Sequence, residues 1–94
     1  MTDEQVKKAA RLYHLALVPP GEPIRADLDK SAREWTTRER NNHLVWMCEQ
    51  IDKGRVTGEK AQRWLSFMQG VLSMMGIYSI NALRRHNAAE MEIP

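Results

Sequence analysis

Three histidines, one cysteine and one polar helix face are the groups in this 94-residue chain whose types and spacing could do chemistry. His14, His43 and His86 stand far apart, and none belongs to a convincing i, i+3 or i, i+4 metal pair, although His43 and Met47 share a helix face. Cys48 shares an apolar stripe with Leu44, Met47 and Ile51, the setting of a buried thiol rather than a nucleophile. There is no Ser–His–Asp arrangement, no glycine-rich phosphate loop and no zinc spacing. The expectation is therefore a protein that is not an enzyme, with no cofactor and no metal.

The polar face lies in "EKAQRWLSFMQGVLSMMG". Wound as a helix, this stretch puts Trp64, Leu65, Phe67, Met68, Val71, Leu72, Met74 and Met75 on a wide apolar side, expected to be core. Arg63, Ser66, Gln69, Gly70 and Ser73 fall on the narrower side. An arginine fork suits phosphate, Ser66 and Gln69 add neutral hydrogen-bonding groups, and Gly70 admits close backbone approach. These residues would form a site for an anionic ligand, with Tyr13 and His14 across the fold as a stacking surface. The alternatives are that Arg63 pairs with Glu59 or a neighbouring subunit, that Gly70 is a tolerated solvent-facing glycine, and that Tyr13 is core. Trp46 lies off the core stripe of its helix, on the side of Trp35. The two tryptophans mark either an oligomer or partner interface or burial beneath a proline-rich connector. Arg33, Arg38 and Arg40 beside Trp35, with Arg84 and Arg85 further on, could hold phosphates or stack on bases. The competing reading is a solvated face balanced by Glu34 and Glu39.

The elements that must position these groups are helical. "TDEQVKKAARLYHLAL" opens with a Thr2/Gln5 capping box, and Asp3 and Glu4 complement the helix dipole. Its Val6, Ala9, Ala10, Tyr13 and Leu17 share one face, and Pro19 and Pro20 end it. Residues 19–30 form a connector, with Ile24 and Leu28 expected to touch the core. The second helix is expected over Ser31–Lys53. Both Ser31/Glu34 and Thr36/Glu39 have capping-box spacing, so a short turn leading into the helix is the other possibility. Gly54 stops it. Thr57 is the expected cap of a third helix, from Gly58 to Met75, that ends at Gly76. Ser79 caps a short fourth helix, "INALRRHN", and 88–94 reads as a frayed tail. The fold class is all-α: one domain over 1–94, a bundle of three main helices plus a short C-terminal one. The short connection makes helices two and three an antiparallel hairpin.

Composition narrows the partners. The formal net charge is +2, from 14 basic and 12 acidic residues, which is no nucleic-acid signature by itself. Forty-three per cent hydrophobic content is enough for a folded core. A chain this small buries only ~60–65% of its unfolded surface, so a homo-oligomer is expected. No apolar run reaches the ~18 residues of a membrane span, and Lys7, Lys8 and Arg11 precede no signal-peptide apolar region. A lone cysteine makes no internal disulfide, which fits a cytoplasmic protein.

"HLVWMCEQI" followed by "EKAQRWLSFMQGVLSMMGIYSINALRRHN" resembles a type of small protein encoded by tailed phages and prophages. Glu59, Lys60, Arg63, Trp64, Leu65, Phe67, Gln69, Gly70 and Leu72 carry the resemblance, with Gly76 and the "LRRHN" end. It covers about half the chain, from His43 onward. It implies no specific activity, but it does imply a setting. Small helical phage proteins without catalytic function commonly bind and disable a host system, by blocking a host protein or sequestering a signalling nucleotide. The expected function is thus counter-defence or host takeover by stoichiometric binding in the host cytoplasm. A nucleic-acid-binding accessory protein and a structural assembly subunit are the alternatives.

Overall fold

The computed structural model describes residues 1–17, 26–31 and 33–88. Among them are four helices and no strand: α1 (Asp3–Leu17), α2 (Thr37–Asp52), α3 (Gly58–Met74) and α4 (Ile80–Asn87). Helix α1 starts as its sequence dictates. The Thr2 amide donates to Gln5 Oε1 at 2.7 Å, and the Gln5 amide donates to Thr2 Oγ1 at 3.2 Å. The reciprocal pair satisfies two amides that an open helix end leaves without partners. Val6, Ala9, Ala10, Tyr13 and Leu17 are all buried. Ile24 and most of the proline-rich connector lie outside the described residues, as does the tail from residue 89. Leu28, expected on the core, is 57% exposed.

Helix α2 begins six residues later than Ser31, the start the sequence favours, because the chain caps twice. Ser31 and Glu34 close a turn of their own: the Ser31 amide donates to Glu34 Oε2 at 2.7 Å and the Glu34 amide to the Ser31 carbonyl at 2.9 Å. Thr36 and Glu39 then form the capping box that opens the helix. The two pairs differ in the other bond: the Glu34 amide donates to the Ser31 backbone carbonyl, closing a turn, whereas the Glu39 amide donates to the Thr36 hydroxyl, opening the helix. The Thr36 hydrogen bonds hold the Glu39 carboxyl below its usual pKa.

Both C-termini are closed by glycine. Gly54 at φ 74° lets its own amide reach the Ile51 carbonyl and the Arg55 amide reach Gln50. Gly76 at φ 75° repeats the pattern with Ser73 and Leu72. These are Schellman closures, which need a left-handed residue past the helix. The start of α3 is capped differently from expectation. Thr57 occupies the cap position, but its side chain makes no capping bond. Asp3 Oδ1, from the start of α1, accepts the Gly58 amide at 3.1 Å instead. One long-range carboxylate thereby ties the N-termini of two helices together.

Helix α1 packs most extensively on α2 and next on α3, while α2 and α3 touch each other least. The tight turn after α2 therefore does not make α2 and α3 the principal pair. The core is built from Val6 and Tyr13 of α1, Leu44, Val45, Cys48 and Ile51 of α2, and Leu65, Met68 and Leu72 of α3. Inside it the Cys48 thiol lies 3.6 Å from Met68 Sδ. Burial pushes the thiol pKa up to about 12. Ser79 caps α4 through the Ala82 amide, as its sequence predicts. Leu83 and His86 seat that helix on the core. Among the described residues no helix is long and apolar enough to cross a membrane.

Candidate functional site

The outer and inner faces of α3 are not those that helical spacing predicts. Gln69, assigned to the polar ligand face, is buried at 6% exposure. Its Nε2 donates to the Tyr13 hydroxyl at 3.0 Å and to Asn87 Oδ1 at 2.8 Å, while Asn87 Nδ2 returns a bond to Gln69 Oε1 at 3.1 Å. The Tyr13 hydroxyl lies 2.7 Å from His86 Nδ1. That hydroxyl accepts from Gln69, which leaves its own proton for His86 Nδ1 when the ring carries its proton on Nε2. The rings of Tyr13, Tyr78 and His86 pack at centroid distances of 5.0–5.6 Å. Tyr13 is wholly buried and offers no stacking surface to a ligand. The Gln69–Tyr13 pair is a buried polar clamp, satisfied on both sides, as buried polar groups must be.

The predicted ligand site is therefore divided. Arg63 and Ser66 line a shallow depression of about 260 Å³ with Glu59 and Gln62, without Gln69 or Gly70. Arg63 makes no ion pair among the described residues. His14 is half-buried on α1 and lines neither this depression nor the two clefts described next. A β-carbon on Gly70 would meet open space, so among the described residues no segment makes the close approach its type suggested.

The apolar side of α3 is split as well. Leu65, Met68 and Leu72 enter the core, but Phe67 is 41% and Met74 90% exposed. These two border a groove of about 520 Å³ lined also by Ser66, Gly70, Val71 and Met75, with Arg33 and Arg40 at its side. The Nε of Arg40 is buried without a hydrogen-bond partner among the described residues. Among the described residues neither arginine forms an ion pair with Glu34 or Glu39, whose carboxylates accept backbone amides. The legible signal for this groove is the breadth of the apolar stripe, wider than the part of α3 that the core takes up.

Trp35 and Trp46 belong to a third arrangement. Trp35 is buried, its Nε1 donating to the Asp27 carbonyl at 2.9 Å, and its ring lies 4.8 Å from that of His43. It is thus closed to base stacking. His43 stacks on Trp46 at 5.9 Å and 20°, and Trp46 meets Trp64 at 5.7 Å. Lys60 Nζ sits 5.6 Å from the centre of the Trp64 ring. His43, Trp46, Met47, Lys60 and Trp64 line a cleft of about 410 Å³ with Leu28. Sequence spacing misses this cleft because Trp64 counts as core by periodicity, although Lys60 and Trp64 stand one helical turn apart. Among the described residues no group of three or more His, Cys, Asp or Glu side chains could hold a metal ion.

Comparison of the chain with protein-family models, curated proteins and solved structures finds no match.

Proposed function

We propose that this chain is a non-catalytic binding protein that captures a small anionic nucleotide stoichiometrically. The observation that carries this reading is the groove on the outer side of α3. Its volume of about 520 Å³ falls in the range of small-molecule sites. Phe67, Val71 and Met74 give it an apolar wall for a base, and Arg33 and Arg40 give it two guanidinium groups for phosphate. Among the described residues Arg40 Nε has no hydrogen-bond partner, so the groove-side guanidinium is not committed elsewhere through that atom. Ser66 and Gly70 belong to this groove, so the anion site suggested by sequence keeps those two residues and exchanges Arg63 for Arg33 and Arg40.

The resemblance to small phage proteins sets this activity in counter-defence or host takeover, in the host cytoplasm. In this reading α2 and α3 form an antiparallel hairpin and the chain assembles as a homo-oligomer. A second reading rests on Phe67 and Met74. Exposed apolar side chains bordering arginines also suit a protein surface, either a host target or another copy of the chain. Nucleic-acid binding is less favoured, since Trp35 is buried away from any base.

Calorimetric titration with a panel of linear and cyclic nucleotides tests the proposal. At least one nucleotide should bind at a fixed ratio, Arg40→Met should weaken it about tenfold or more, and Arg63→Ala should leave it intact. If no nucleotide binds, the sequestration reading falls and the protein-target reading takes its place.

A further inference from the structure

The cleft between α2 and α3 has a chemistry distinct from that of the groove. Trp46 and Trp64 line it as half-buried rings, with His43 stacked behind Trp46. The row ends inward at Trp35, which is closed over, and outward at Lys60. Lys60 is the only charged side chain among the described residues that line the cleft. His43 Nδ1 accepts the Ala26 amide at 3.1 Å, so this ring is held with Nδ1 unprotonated.

These facts select one ligand class. The tryptophan faces favour a planar π-system. Lys60 already occupies the electron-rich face of Trp64, so a ligand cation would have to displace it and would be repelled by it. An anion meets the opposite situation: among the described residues no carboxylate lines the cleft, and the exposed ammonium group can swing from the Trp64 ring to meet it. We infer that this cleft is a second binding site, for a planar aromatic anion whose ring system packs on Trp46 and Trp64 and whose acidic group pairs with Lys60. The site is independent of the Arg33/Arg40 groove and stands or falls separately from it.

Indole-3-acetate and its neutral counterpart indole-3-acetamide are suitable probes, followed through the indole N–H signals of Trp46 and Trp64 in the ¹⁵N-labelled protein. The acid should move both signals and bind about tenfold more tightly than the amide. Lys60→Met, at an exposed position, should bring the two probes to parity. Trp64→Phe should weaken both, and Arg40→Met should change neither. The inference is overturned if neither signal moves up to millimolar probe, if only the Trp35 signal moves, or if acid and amide bind the parent protein equally.

Discussion

The Gln69 side-chain amide and the Tyr13 hydroxyl, 56 positions apart in sequence, are joined by a 3.0 Å hydrogen bond inside the helical core. Through Asn87 and His86 the same pair holds α4 against α1 and α3. Tyr13→Phe removes the hydroxyl and leaves His86 Nδ1 without its hydrogen-bond partner and Gln69 with one bond fewer. The expected loss is about 1–3 kcal/mol, the range for stranding buried polar groups. Urea unfolding of parent and variant measures it. An unchanged midpoint would mean that the clamp contributes nothing to stability.

The clamp also makes stability depend on pH. Burial, with the Arg85 charge as a second cause, holds His86 below its ordinary pKa of 6.5. The unfolded chain therefore takes up this proton more readily than the folded one. The contribution is fully present above about pH 6.5 and is lost as pH falls through the lower folded value. Thermal unfolding followed from about pH 7 to pH 5, above the range where most carboxylates titrate, should show a declining midpoint. The decline should be shallower in His86→Gln.

Gly70 gives a prediction with two opposite readouts. It lies inside α3 with open space around it, so Gly70→Ala should stabilise the isolated fold by up to about 1 kcal/mol through helix propensity. Gly70→Leu should fold equally well yet fill the groove beside Val71 and Met74. Sedimentation at micromolar concentration reads assembly, and nucleotide titration reads the groove. If Gly70→Leu matches the parent in both, this face carries neither function.

Cys48 should react slowly with a thiol reagent in the native protein and fast in denaturant. Its side chain is buried beside Met68, and its pKa is pushed up to about 12, so little thiolate exists at neutral pH. Rapid labelling of the folded protein would contradict this account of the α2 core face.

Much of the secondary structure was legible because its causes are local. The Thr2/Gln5 and Thr36/Glu39 boxes, the Ser79 cap and the glycine closures at Gly54 and Gly76 each depend on residues within one or two turns. The face of α1 was legible for a related reason: it buries a single stripe, which helical spacing identifies, whereas α2 buries Asn42, His43 and Val45 beyond its Leu44, Met47, Cys48 and Ile51 stripe. The Thr57 cap failed because its competitor, Asp3, comes from another helix. The start of α2 stayed open between Ser31 and Thr36 because Ser31/Glu34 and Thr36/Glu39 are equally good local signals, and the structure takes the alternative of a short turn leading into the helix.

The candidate sites depended on tertiary structure to a greater degree. Periodicity ranks the sides of α3 by polarity, whereas burial is decided by what each side faces. Gln69 faces Tyr13 and Asn87, whose hydrogen bonds offset its desolvation, so a polar residue enters the core. Phe67 and Met74 face neither α1 nor α2 closely enough to be covered, so apolar residues remain outside. The sequence by itself determined the four helices of the described residues, the cap that opens α4, the glycine stops of α2 and α3, and that Cys48 is buried. Only the packing of four helices decided that Gln69 is buried against Tyr13 and Asn87, that Arg40 rather than Arg63 stands beside the groove, and that Trp46 and Trp64 share one cleft. Those outcomes depend on contacts between elements far apart in the chain, which the spacing of residues within any one helix does not record.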